Sequence, residues 1–150
     1  MKSCLRVLAI ILTLILSLSA CKKNETEYVL GEFSTTVSFC CEEEEYKGDF
    51  IMKNKDEMSF TVKSPEIING CTFSYKNGET NLSFDGVTID VRDASPVKAL
   101  FDSLGIMAEM PHKINGNSLI IINDGSEATV ERYEKKIKEL NTGDIVYIFS

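Results

Sequence analysis

From Phe33 onward, apolar and polar residues alternate with a period of two. Phe33, Thr35, Val37, Phe39 and Cys41 share one side, and Ser34, Thr36, Ser38 and Cys40 share the other, the pattern of a strand with one buried and one wet face. Tyr46, Gly48, Phe50 and Met52 repeat it after the acidic run Glu42–Glu45. Met58, Phe60 and Val62 repeat it again after the turn Asn54-Lys55-Asp56. Three such runs with short links predict a meander. Pro65 cannot continue a ladder inside a central strand, so Ser64–Gly70 is expected to wind one helical turn, with Ser64 as cap and Gly70 as exit. Thr72–Lys76, Thr80–Phe84 and Val87–Val91 then read as three short strands. Asn77-Gly78 and Asp85-Gly86 between them are strong hairpin signals.

One helix stands out. Ser95 is a good N-cap and Pro96 suits the first helical position. Val97, Leu100, Phe101 and Leu104 follow at i, i+3, i+4 and i+7, a continuous apolar stripe that must be buried on the sheet. Gly105 is expected at its exit, giving a helix over Pro96–Leu104 with Met107 and Met110 in the loop beyond. Leu119–Ile122 lacks alternation and reads as a strand buried on both faces. Asn123-Asp124-Gly125 is a turn. Thr129–Leu140 fits two readings. Val130, Tyr133, Ile137 and Leu140 suit a helix, with a capping box in Asp124–Glu127. The same residues also suit two charged strands, the reading favoured by the turn Asn141-Thr142-Gly143-Asp144 before the terminal strand Ile145–Phe149. Together these elements predict a mainly β chain with one helix.

The first twenty residues have another character. Lys2 and Arg6 precede the apolar run Leu8–Leu18, and the small residues Ser19 and Ala20 follow it, the three parts of an export signal. The run is shorter than the roughly 18 residues of a membrane span. Leu18-Ser19-Ala20-Cys21 matches, at all four positions, the lipobox of bacterial lipoproteins. That resemblance implies cleavage between Ala20 and Cys21 and attachment of a diacylglyceryl group (palmitate being a typical chain) to the Cys21 thiol. The divisions expected are a signal peptide over 1–20, the lipidated cysteine and its tether over 21–30, and a β-rich domain over 31–150. The location expected is the extracytoplasmic face of the cell membrane.

Charge narrows the partners. The chain has 16 basic and 23 acidic residues. Lys2 and Arg6 fall in the signal, so the remainder is more acidic than the formal −7 of the whole. Such a domain repels phosphate backbones, which argues against nucleic acid. Beyond Cys4 and Cys21, three cysteines remain, Cys40, Cys41 and Cys71, and an odd number cannot all pair within one chain. Either Cys71 bridges to Cys40 or Cys41, or all three are free thiols. Adjacent Cys40 and Cys41 on a strand face opposite sides, which argues against a shared metal. Glu42–Glu45 lies at a strand junction, where its carboxylates splay apart instead of converging as calcium requires. The single histidine, His112, has no nucleophile motif beside it. No catalytic, metal or cofactor signature is present, and the chain is read as non-catalytic.

The order of elements carries a second resemblance. A lipobox precedes a meander containing Tyr46-Lys47-Gly48. Ser64-Pro65-Glu66 and Gly70-Cys71-Thr72-Phe73-Ser74-Tyr75 follow, then paired strands, a proline-started helix and more strands. This resembles a group of small lipoproteins of Gram-positive bacteria. It is similar in architecture to the LolA-like lipoprotein-carrier superfamily. The resemblance implies a curved antiparallel sheet, an incomplete barrel, with the helix on its concave face and a hydrophobic cavity between them. The carrier that names that superfamily is soluble and shuttles, whereas Cys21 anchors this chain. No ligand-contact residue transfers by position.

Two functions follow as expectations. The first is a membrane-anchored module that binds a lipid or other hydrophobic ligand, with Val37, Phe39, Phe50, Met52, Phe60, Leu100, Phe101 and Leu104 as candidate cavity-lining residues; each would serve equally as core. The second is an envelope protein that docks a partner protein, through strand addition or its acidic surface. A deep dry cavity favours the first, and a filled core with an exposed apolar patch favours the second.

Overall fold

A computed structural model describes residues 30–91, 95–131, 134 and 136–150. The signal, Cys21 and the tether up to residue 29 lie outside these residues. Six strands come first: β1 (Phe33–Cys41), β2 (Glu44–Asn54), β3 (Glu57–Ser64), β4 (Thr72–Lys76), β5 (Glu79–Phe84) and β6 (Val87–Asp90). The helix α1 (Pro96–Met107) follows, then β7 (Lys113–Asn115), β8 (Ser118–Asn123), β9 (Ser126–Glu131), β10 (Lys136–Asn141) and β11 (Val146–Phe149). All eleven form one antiparallel sheet in the order β6-β5-β4-β3-β2-β1-β11-β10-β9-β8-β7. The chain starts in the middle, steps outward to β6, crosses by way of α1 to the far edge at β7, and steps back until β11 pairs with β1. Val37 lies opposite Phe149 and Ser38 opposite Ile148. The edges β6 and β7 do not pair, so the barrel is incomplete.

The sheet must curl. The helix packs on both β4 and β8, which are seven strand steps apart. In a flat sheet that is about 33 Å, whereas a helix with its side chains is only about 10–12 Å across. One helix reaches both wings only if the wings fold towards each other around it. Register shifts at Lys47/Gly48 and Met52/Asn54, between β2 and β3, and at Ile137/Glu139, between β9 and β10, supply bends on each wing.

The core lies between the helix and the inner face. Val37, Phe39, Phe50, Met52, Met58, Phe60 and Val62 are buried, as their alternation predicts, and Leu30, placed in the tether by the sequence, packs with them. Phe50 stands 6.2 Å from Phe101, and Tyr75 stands 5.6 Å from the same ring. The helix is fixed at its start by Ser95, whose hydroxyl accepts from the Lys98 backbone N–H at 3.1 Å, a cap worth about 1 kcal/mol. The Tyr147 hydroxyl donates to the Pro96 carbonyl at 2.7 Å. Lys55 and Glu109 pair at 2.8 Å just beyond the other end.

Gly48 is required by close approach. A Cβ there would lie 2.3 Å from the Thr61 carbonyl oxygen and 2.8 Å from Phe60 Cζ. Gly48→Ala is expected to cost about 1–3 kcal/mol by overpacking, lowering the melting temperature by on the order of 5–10 °C. Thermal unfolding followed by circular dichroism checks it; an unchanged midpoint would mean that β2 and β3 separate freely at this point.

Several expectations are corrected. The helix does not stop at Leu104. It runs to Met107, with Ala108 as its C-cap, because Met107 prolongs the apolar stripe by three residues and is itself buried. Gly105 allows close approach instead of an exit, since its Cβ would stand 3.2 Å from the Lys55 carbonyl oxygen. Met107 is thus core, while Met110 packs on the core from the following loop. The turn before β4 is a 3-10 turn over Glu66–Ile68, with Pro65 at the cap position and no side-chain cap, so Ser64 does not cap it; the Ser64–Pro65 bond is cis. β8 is buried on one face only. Leu119 and Ile121 are buried and Ile122 is exposed, because the helix covers one face of the sheet. Lys113–Asn115, for which the sequence predicts no strand, is the edge strand β7. Of the two readings of Thr129–Leu140 the favoured one, two strands, holds: β9 ends at Glu131 and β10 starts at Lys136, and Tyr133 falls outside the described residues. Cys40 is exposed, Cys41 half-buried and Cys71 buried, all as free thiols.

Candidate functional site

The eight residues singled out as candidate lining converge. Val37 and Phe39 on β1, Phe50 and Met52 on β2, Phe60 on β3, and Leu100, Phe101 and Leu104 on α1 belong to one cluster. Each is at most 4% exposed. None of the eight lines any of three clefts walled by described residues.

The largest of the three, about 500 Å³, lies beside the last turns of α1. Lys55, Asp56, Tyr75, Asp102, Gly105, Ile106 and Glu109 wall it. Burial, and then the nearby Asp102 carboxylate, push the Tyr75 phenol above its ordinary pKa, so it stays a neutral hydrogen-bonding group. A narrower slot of about 230 Å³ lies where β11 ends between β1 and β10, with Lys136 and Lys138 on its wall. Both are bordered by charged, solvated side chains.

The third cleft differs. About 350 Å³ in volume, it is lined by Leu82, Phe84, Asp85, Val87 and Ile89. Asp85 and Gly86 have φ of 48° and 79°, the left-handed pair of a tight hairpin turn. That turn sets Phe84 opposite Val87 and Leu82 opposite Ile89. Leu82 also lies opposite Phe73, and Phe73 opposite Phe60, so all four side chains stand on the face that carries the core. Yet Phe84 is 51% exposed, Val87 64% and Ile89 55%. The helix reaches this wing mainly at β4, and the inner face of β5 and β6 extends past it. The row runs back along β5 to Thr80, which is buried and whose hydroxyl has no hydrogen-bond partner.

The sequence reading placed these residues on strands but not in a site. The signal available was apolar residues on both arms of one Asp-Gly hairpin, directed to one face right up to the turn, where hairpin tips are normally polar. Ala20 and Cys21 lie outside the described residues. Among the described residues, no group of three or more His, Cys, Asp or Glu is placed to hold a metal ion. No described helix is long and apolar enough to cross a membrane.

The class these features define is an open half-barrel wrapped round one helix, with a strip of its inner face left bare at β5 and β6. The open, curled sheet with its helix is the architecture the resemblance implied; the bare strip was not part of it. No family model matches the chain, and no curated protein does. Solved structures give loose likenesses. A LolA superfamily protein from Nitrosomonas europaea superposes with a TM-score of 0.44 at 9% identity, over 83% of this chain and 87% of that one. An uncharacterized conserved protein from Thermus thermophilus gives 0.46 at 11%, over 81% and 77%. No residue role passes from either to this chain.

Proposed function

We propose that this protein is a non-catalytic binding module, tethered to the outer face of the cell membrane through lipid on Cys21, that holds a lipid or other apolar ligand against the inner face of β5 and β6. The observation that carries the reading is the bare row Leu82, Phe84, Val87 and Ile89. An exposed apolar patch on a filled core alone would favour docking of a partner protein, but this row also lines a cleft of about 350 Å³, and ligand clefts are mostly apolar with few polar groups. Here Asp85 supplies a charge at the rim, and the buried Thr80 hydroxyl lies further along the same strand face. Each methylene laid on such a surface is worth about 0.8 kcal/mol before the cost of association. The eight core residues serve this function by holding the helix and sheet in shape. The lipobox supports the tether, and a tether would keep the row within reach of membrane-derived ligands.

The reading is tested with a fluorescent fatty acid titrated into the full chain and into Phe84→Lys. The row is half exposed, so the variant is expected to melt like the parent while binding the probe at least about tenfold more weakly. Equal affinity in parent and variant would remove this face from the function.

A further inference from the structure

We propose that the outer edge of β6 takes up an extended, basic segment of another protein as an added strand. β6 ends the sheet order, and all four of its residues, Val87–Asp90, are exposed. The Val91 N–H donates to the Thr80 carbonyl at 2.8 Å, so Val91 and Thr80 form a hydrogen-bonded pair. Such pairs alternate along an antiparallel ladder. Ile89, opposite Leu82, and Val87, opposite Phe84, therefore turn their backbone groups towards β5, and Thr88 turns its N–H and C=O away from the sheet.

Edges are normally blunted by lysine, proline, a bulge or short length. The other edge, β7, is only three residues long and begins with Lys113. β6 is also short, at four residues, but it carries no lysine, proline or bulge. Residues 79–91 contain no Lys, Arg or Pro, and the β5–β6 register runs unbroken over four pairs. An incoming strand would meet backbone partners at Thr88 and could continue the apolar face of Val87 and Ile89 with its own alternate side chains, the usual form of strand addition.

Charge selects the occupant. The hairpin residues Glu79 and Asp85 are acidic, and the whole chain carries 23 acidic against 16 basic residues. A segment with lysine or arginine at its alternate positions is attracted, and a second copy of this chain, bringing the same acidic charge, is repelled. The edge runs along the strand while the ligand face lies across it, so this inference stands apart from the ligand reading.

The test uses the full chain in nanodiscs of neutral phosphatidylcholine, with empty nanodiscs as the blank. The probe is a capped, fluorescein-labelled peptide alternating lysine with valine, followed by anisotropy at low salt. The structure predicts saturable binding of this peptide and none of its glutamate–valine counterpart. Methylating alternate backbone amides of the lysine–valine peptide is expected to weaken binding about tenfold or more, because an added strand needs those donors. Thr88→Pro is expected to weaken it similarly while the protein still folds, since β5 makes no use of the Thr88 N–H. Should Thr88→Pro melt early, the methylated peptide on the parent protein decides. Equal affinity for methylated and unmethylated peptide, no binding of either, or self-association of the protein through a Thr88-sensitive contact would each overturn the proposal.

Discussion

Phe101→Asp is expected to abolish the cooperative unfolding transition, leaving no sigmoidal melt by circular dichroism. Phe101 is fully buried and faces Phe50 of β2 and Tyr75 of β4. A carboxylate there loses its hydration, and the lysine one turn away, Lys98, is already paired with Asp102. Burying a charge without a partner costs several kcal/mol, and the ring's own packing, worth about 3–5 kcal/mol when deleted, is lost with it. A domain of this size holds only about 5–15 kcal/mol in total. The effect is large because of where the helix sits: α1 fills the space between the wings of the curled sheet, so undocking it exposes the inner faces of both meanders. Phe101→Leu keeps the site apolar and is expected to cost about 1–2 kcal/mol. A normal melt for Phe101→Asp would mean that the helix does not dock as described.

Cys21→Ser is expected to move the protein out of the membrane fraction or leave it as an uncleaved precursor. The lipobox needs a nucleophilic sulfur, and serine supplies none at that position. On the proposed reading, two acyl chains, at about 0.8 kcal/mol per buried methylene, would hold the parent protein at the membrane. With none, the net acidic charge of the chain does not favour an anionic bilayer. Fractionation of cells and the mass of the mature N-terminus read both outcomes. Normal processing with full membrane retention in the variant would sink the tether.

What the sequence disclosed, and what it withheld, follows from the range of the forces involved. The buried side of β1 was legible in Val37 and Phe39, and that of β3 in Met58, Phe60 and Val62, because strand alternation is a local property. The start of α1 was equally legible, since Ser95 and Pro96 act within one turn. The end of the helix was not. Whether Gly105 stops a helix or admits a neighbouring carbonyl depends on Lys55, fifty residues away in sequence. Two of the exposed isoleucines tell the same story from opposite faces: Ile122 on β8 and Ile89 on β6 look alike in sequence. Ile122 is exposed because it faces away from the helix, and Ile89 because the helix stops short of it. Three-residue β7 has too few positions to show a period at all. For the candidate site, the apolar residues of β5 and β6 were visible as strand residues, but their lack of a cover is a property of the assembled sheet. The eight predicted lining residues were recognised as one apolar set, and the structure places them together under the helix, away from the three clefts.

The measurement that bears most directly on the central claim, an apolar ligand on the bare face of β5 and β6, is native mass spectrometry of the full chain purified from its own membranes in a mild detergent. The account predicts a noncovalent adduct of lipid-like mass, released on denaturation, and strongly depleted in Phe84→Lys purified in parallel. An adduct retained at the same level in Phe84→Lys, or a parent protein that carries no ligand from its own membrane and accepts none when lipid extract is added back, would contradict it.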